Sequence, residues 1–330
     1  RRPSRNGDAG TTLVHWVHGE PGIGKSALSR ELVQQTQNAV FLEQNDTMWV
    51  EQKSCYDYTD PYRLMRDFVK ETANRHNLES DIDLSGLCLR LAERGSEHLW
   101  VLDDITYLSS RPDDNSVQEK FVSDLYAACR DAQLPVRLVV TCRQPGPARF
   151  DPVQLKRLQW NEAARMAITM TINAGQKVDE NNINQGARQI FDLTRGLPAL
   201  YKRSVKQGIE LDGDLIQRAE DLSTSMGIGV DNLDIDDLSR KMMAFEVGAL
   251  EAYEEKHGFQ YRQFISVAYD LFRRAGWFTV EELAGWFKDI PLAGDIKKCK
   301  AGVLYLLRLG FLTTAKREDQ DVFVLPPNQR

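Results

Sequence analysis

Apolar residues along this chain fall into two patterns, and the two alternate. "TTLVHWVHG" (Thr11 to Gly19), "HLWVLDDI" (His98 to Ile105) and "VRLVVTCR" (Val136 to Arg143) are short apolar runs with polar ends. Such runs predict strands covered on both faces, as in a parallel sheet. Between them, apolar positions recur at helical spacing: Ala27, Leu28, Leu32 and Val33, then Tyr62, Leu64, Met65, Phe68 and Val69. "SGLCLRLAERG" and "SVQEKFVSDLYAACRDA" read as further helices, and "AVFLEQNDTMWVEQ" as a second β-rich region. Apolar runs alternating with helices predict an α/β domain, a parallel sheet flanked by helices.

The pattern changes near Phe150, where the strands disappear. "NEAARMAITMTINAG" and "INQGARQIFDLTRGLPALYKRSVKQG" predict helices, the second broken at Gly196 and Pro198. "LDGDLIQRAEDLSTSMGIGVDNLDIDDLSR" reads as an acidic connector with short helices. Asp231, Asp234 and Asp236 invite a calcium loop, but the glycine and closing glutamate of an EF-hand are missing, so a solvated acidic turn is preferred. At the end come helix ("FISVAYDLFRRAG"), strand-like start and helix ("WFTVEELAGWF"), helix ("IKKCKAGVLYLLRLGFL") and a hairpin turning at Arg317 to Gln320, the order of a winged helix. The expected division is residues 1–150 (α/β), 151–254 (helical, with the acidic connector) and 255–330 (winged helix).

Composition narrows the classes. A formal net charge of −6 argues against a surface coated for nucleic acid. The five cysteines, Cys55, Cys88, Cys129, Cys142 and Cys299, form no CxxC pair, so neither a zinc framework nor a disulfide scaffold is expected; a reducing cytoplasm is. No apolar run reaches membrane-spanning length. The chain starts without methionine and stops at "LPPNQR", which points to a piece of a longer protein.

The chemistry lies at the ends of the predicted strands. "GEPGIGKS" places Gly19, Glu20, Pro21, Gly22, Ile23, Gly24, Lys25 and Ser26 between a strand and a helix, with Ala27 in the helix's first turn. Its glycines let successive N–H groups turn toward phosphate oxygens, and the helix start adds its positive dipole end. Lys25 is placed to reach β- and γ-phosphates, and the Ser26 hydroxyl to ligate Mg²⁺. "LWVLDD" sets Asp103 to hold the Mg²⁺ shell, and Asp104 to orient or deprotonate an attacking water. "LVVTCR" ends a neighbouring strand in Thr141 and Arg143, an arginine suited to sense a γ-phosphate. "LTRGLPA" presents a rigid apolar corner at Pro198, suited to pack on adenine or ribose.

These four motifs in order, followed by a winged helix, resemble the STAND class of signalling ATPases, and within it the NB-ARC type of apoptosis and innate-immunity proteins and their bacterial relatives. GEPGIGKS is similar to that family's Walker A loop, LWVLDD to its Walker B, VVTCR to its sensor strand and TRGLPAL to its Gly-Leu-Pro motif. The resemblance implies an ATP/ADP switch with Mg²⁺: closed around ADP, opened by exchange for ATP into an oligomer, and reset by slow hydrolysis. It also implies effector and sensor domains outside this sequence. Two features depart from the family. "VFVLPPNQR" carries Leu325, Pro326 and Pro327 where relatives have a Met-His-Asp-like motif, and the family's adenine-contacting segment lies further before the Walker loop than this N-terminus reaches, so it is either trimmed away or replaced by Arg5 to Thr12.

Two rivals stand beside the switch. An AAA+ ATPase of the origin-binding kind also joins a P-loop domain to a winged helix, and Lys297, Lys298, Lys300 and Arg308 fall in the would-be recognition helix. The apolar "AGVLYLLRLGFL" around them suits a helix buried in its own domain, so DNA binding is the lesser expectation. A simple turnover ATPase is the other. His15 and His18 read as strand residues, and His76, His98 and His257 as dispersed, without ligand spacing. Phe272, Trp277, Phe278, Trp286 and Phe287 read as winged-helix core.

Overall fold

The structure is a computed structural model and describes residues 12–43, 48–55, 58–79, 81–108, 115–227, 234–257, 260–275, 277–286, 296–309, 311–317 and 320–324. Arg5, Asp231, Phe287, Leu325, Pro326 and Pro327, singled out above, lie outside the described residues, as do the hairpin-turn residues 318–319. The chain divides into two compact units. One comprises residues 1–20 and 24–156; the other comprises residues 157–330 together with residues 21–23.

The first unit is built on β1 (Leu13–His18), α1 (Lys25–Glu43), β2 (Met48–Ser54), α2 (Pro61–Arg75), α3 (Leu84–Glu93), β3 (Glu97–Asp103), α4 (Ser116–Asp131), β4 (Val136–Cys142) and β5 (Pro152–Gln154). The five strands form one sheet in the order β2-β3-β4-β1-β5, and every pairing is parallel. The apolar runs are continuous because both faces are covered. Trp16, Trp100, Leu102, Leu138 and Val140 join the core with Leu64, Phe68, Leu87, Leu91 and Leu125 of α2, α3 and α4. Val17, Leu99, Val101 and Val139 point the other way and pack with Val33 of α1. Asp60 caps α2, accepting from the Tyr62 N–H at 2.9 Å, and Pro61 occupies the first turn, where a missing N–H costs nothing. Asp83 caps α3 in the same way through the Gly86 N–H at 2.7 Å.

Two expectations need correcting. Residues 39–43 continue α1 instead of opening a strand. No glycine or proline interrupts Gln34 to Glu43, so propagation of the helix is favoured over a new element. Strands also do not end at Phe150: residues 152–154 pair with Trp16 to His18 at the sheet edge. Three residues beginning with proline carry no periodic signal, and proline suits an edge.

In the second unit follow α5 (Trp160–Asn173), the short α6 (Glu180–Asn182), a π-helical turn (Ile183–Ala187), α7 (Arg188–Leu193), α8 (Pro198–Gln207), α9 (Leu215–Met226), α10 (Ile235–His257), α11 (Tyr261–Ala275), α12 (Val280–Trp286), α13 (Ile296–Leu309) and the antiparallel β6 (Thr313–Arg317) and β7 (Gln320–Val324). The break between α7 and α8 falls where glycine and proline predicted it. Gly196 has φ +66°, and an added Cβ would lie 2.8 Å from the Leu158 carbonyl oxygen. The acidic stretch is more helical than expected, since Asp234 accepts from the Asp237 N–H at 2.7 Å and starts the 23-residue α10. A buried ion pair, Arg203 Nε to Glu246 Oε2 at 2.7 Å, lies in this unit. Phe264, Ala268, Phe278, Leu283, Val303, Leu306 and Phe311 form a core under α11 to α13, and Phe278 bridges to Phe323 of the hairpin. Trp286 was expected in that core but is 46% exposed, with the Arg274 guanidinium over its ring at 4.7 Å.

Candidate nucleotide site

All five strands run the same way, so their carboxyl ends share one edge. β4 lies between β1 and β3, and this order brings the loop after β1, the acids after β3 and the Thr141 to Arg143 segment side by side. The loop departs from His18 through Gly19 (φ +151°), Gly22 (φ +76°) and Gly24 (φ +105°), conformations that favour glycine. α1 then starts at Lys25, with Ser26 and Ala27 in its first turn.

Lys25 is buried, and its Nζ donates to the carbonyl oxygens of Gly19 at 2.8 Å and Glu20 at 3.0 Å. Burial lowers its pKa, Asp104 opposes that, and Arg143 adds to it. An ammonium held by neutral carbonyls, with carboxylates near, is suited to receive a polyanion. His18 beside it is held toward the neutral form, first by partial burial and then by the Lys25 charge.

Asp103 is 7% exposed and Asp104 8%. Burial raises the Asp103 pKa, and hydrogen bonds from Thr141 and Ser26 oppose the rise. The Thr141 hydroxyl donates to Asp103 Oδ1 at 2.7 Å and accepts from the Asp104 N–H at 2.7 Å. The Ser29 hydroxyl lies 3.4 Å from the same Asp103 oxygen. Asp104 sits in the left-handed region, φ +63°, uncommon outside glycine, asparagine and aspartate. There the Thr106 hydroxyl donates to Asp104 Oδ1 at 2.6 Å and accepts from the Arg143 N–H at 3.2 Å.

The structure thus brings Lys25, Ser26, Asp103, Asp104 and the Arg143 backbone to one edge. Pro198 belongs to the second unit, as the first residue of α8. In that unit the Ala199 N–H donates to the Gly22 carbonyl at 3.1 Å, and an added Cβ on Gly22 would meet Ala199 Cβ at 3.2 Å. Ser29, Thr106 and the bridging role of Thr141 were missed from sequence. Isolated hydroxyls carry no spacing signal, and only the strand order makes them neighbours.

The donor set fits a Mg²⁺-nucleotide. Lys25 and the loop N–H groups suit phosphates, while Ser26 and Asp103, already in contact, offer two hard oxygens of the kind Mg²⁺ takes. Residues 9–143 match the family model described as an AAA domain. No curated protein matches the chain in sequence. Among solved structures, the Aeropyrum pernix ORC2 protein in its ADPNP-ADP complexes is 14% identical at a TM-score of 0.42, over 97% of this chain and 85% of that one. A Walker-type ATPase of Pyrococcus abyssi is 13% identical at 0.42, over 96% and 89%. Drosophila ORC bound to DNA is 12% identical at 0.45, over 96% and 79%. Likenesses this distant assign nothing to this chain.

Proposed function

We propose, from the premise that residues 9–143 are an AAA-type P-loop NTPase domain, that this chain is a Mg²⁺-dependent ATPase whose slow hydrolysis resets a nucleotide-operated switch. The observation that carries the reading is the Thr141 hydroxyl, which ties the two acids of the β3 end together beside a buried lysine. Lys25 and the loop N–H groups grip the phosphate chain. Ser26 and Asp103 hold the metal, which supplies charge neutralisation when bound. Asp104, its carboxylate oriented by Thr106, takes a proton from an attacking water or aligns it. Arg143 answers to the γ-phosphate.

The finer STAND assignment, with its three-domain division, winged helix and ATP-dependent oligomer, rests on the order of GEPGIGKS, LWVLDD, VVTCR and TRGLPAL and on the helix-helix-helix-hairpin order at the end. The AAA domain match suits the origin-binding kind of AAA+ ATPase at least as well. One observation favours that second reading: Lys297 and Lys300, three positions apart on α13, are both exposed.

The deciding experiment measures retained nucleotide, steady-state phosphate release and duplex-DNA anisotropy on one preparation. The ATPase reading expects Mg²⁺-dependent release that Lys25→Ala abolishes together with nucleotide binding. Release by Lys25→Ala at the parent rate sinks it. Tightly retained ADP and slow release support the switch. Saturable DNA binding that weakens steeply with salt moves the reading to the DNA-binding ATPase.

A further inference from the structure

His76 and His98 have no ligand spacing in sequence, yet the fold brings them together with Glu51. Glu51 is on β2 and His98 on β3, where Trp49 pairs with His98 and Glu51 with Trp100. Positions 49, 51, 98 and 100 therefore share the sheet face on which α2 packs, and His76 caps the end of α2. The three side chains are 4%, 0% and 0% exposed. One ligand atom from each lies within 4.8 Å of the other two. The cluster is at the amino end of β3, five residues before Asp103 and so roughly 16 Å from the nucleotide edge.

Hydrogen bonding leaves this cluster incomplete. Glu51 Oε1 and His76 Nε2 are 2.9 Å apart, a normal bond. Glu51 Oε2 and His98 Nδ1 face each other at 3.7 Å, and neither has a hydrogen-bond partner. Ser96 Oγ meets the other nitrogen of His98, Nε2, at 2.9 Å. If Nε2 donates to Ser96, the Nδ1 lone pair points at a carboxylate oxygen. If Nδ1 carries the proton instead, its donor is too far from Oε2 to bond. In both tautomers a buried polar pair is unsatisfied, and a cation between them satisfies both.

We propose that Glu51, His76 and His98 form a buried structural site for a divalent transition-metal ion of the zinc class. Zinc binds histidine nitrogen and carboxylate oxygen at about 2.0–2.2 Å, which places tetrahedral ligand atoms about 3.3–3.5 Å apart. The present separations of 2.9 and 3.7 Å bracket that edge. Glu51, His76 Nε2 and His98 Nδ1 supply three protein ligands, the fourth tetrahedral position falling to a water, and Ser96 holds the His98 ring in the tautomer that offers Nδ1. Two imidazoles with one carboxylate suit zinc better than magnesium or calcium, which prefer oxygen. The ion ties β2, β3 and the end of α2 together and has no part in the nucleotide chemistry.

The test strips metal from the full chain with a chelator and titrates Zn²⁺ against a chromophoric competitor, then Co²⁺ by visible absorption. The site predicts one equivalent bound, a raised Tm, and the visible bands of four-coordinate cobalt without a thiolate charge-transfer band. Ser96→Ala keeps all ligands and should weaken Zn²⁺ about 10- to 100-fold. His98→Gln should weaken it further, and Ser96→Ala serves if His98→Gln does not fold. Absence of stoichiometric zinc binding by the parent chain overturns the site. So does a thiolate band, which would move the metal to the cysteines, or parent-like affinity in Ser96→Ala.

Discussion

Thr141→Val removes one hydroxyl and keeps the shape of a side chain that is 1% exposed. Two bonds go with it. The first is the 2.7 Å bond to Asp103 Oδ1, a bond to a group that carries charge when ionised and worth about 1.5–3 kcal/mol. The second is the acceptor for the Asp104 N–H, which is left buried and unpaired at a cost of about 1–3 kcal/mol. Of the remaining Asp103 contacts, Ser29 at 3.4 Å is too long to replace the first, and Ser26 already bonds the carboxylate in the parent. The sum is about 2.5–6 kcal/mol. Thr141→Ser keeps both bonds and loses only a methyl group, about 1 kcal/mol. Urea unfolding of the two variants without nucleotide measures the difference directly. Part of it depends on pH. The hydroxyl stabilises the charged Asp103, so that share is present above the folded pKa, which burial raises, and fades as pH falls through it. The amide share remains in acid. Equal stability of the two variants at neutral pH would refute the bridging role.

Three further outcomes concern the two acids and the buried ion pair of the second unit. Asp104→Asn keeps the left-handed residue and an acceptor for Thr106, so the fold and ADP affinity should hold while phosphate release drops about 10²- to 10⁴-fold; parent-like release would remove Asp104 from the chemistry. Asp103→Asn addresses linkage: a carboxyl raised in the fold loses stability for the fold as pH rises from its ordinary value through the raised one, so the amide should raise the nucleotide-free Tm at neutral pH, give no gain in acid, and abolish Mg²⁺-dependent hydrolysis. Glu246→Ala leaves the buried Arg203 without its carboxylate and should cost about 3–5 kcal/mol by denaturant titration, most of it recovered in the Arg203→Met, Glu246→Leu double variant; a loss under 1 kcal/mol would show that water reaches the pair.

The parallel sheet was legible because its strands are covered on both faces, and three apolar runs ending in Gly19, Asp103 and Arg143 announce strands and their functional ends together. The phosphate loop was legible because its requirement is local: glycines at fixed offsets before a helix. The rest depends on the order of strands, which no short window of sequence contains. β4 between β1 and β3 makes Thr141 a bridge. The register of β2 against β3 makes neighbours of Glu51 and His98, 47 positions apart, and the end of α2 adds His76. Trp286 was misjudged for another reason: helical spacing gives a face, and α12, only seven residues long, leaves this ring over Arg274 at the surface.

The left-handed backbone at position 104 also limits how this edge of the molecule can drift under mutation. Glycine, asparagine and aspartate are the residues that adopt that conformation routinely; others cost about 1–2 kcal/mol before any chemistry is considered. A saturation library at this codon sorted for folded protein should enrich those three, and the same library sorted for turnover should return aspartate alone. Glutamate, the substitution a chemist would try first because it keeps the charge, is handicapped by its backbone rather than by its carboxylate. The fold, not the reaction alone, has chosen which acid stands there.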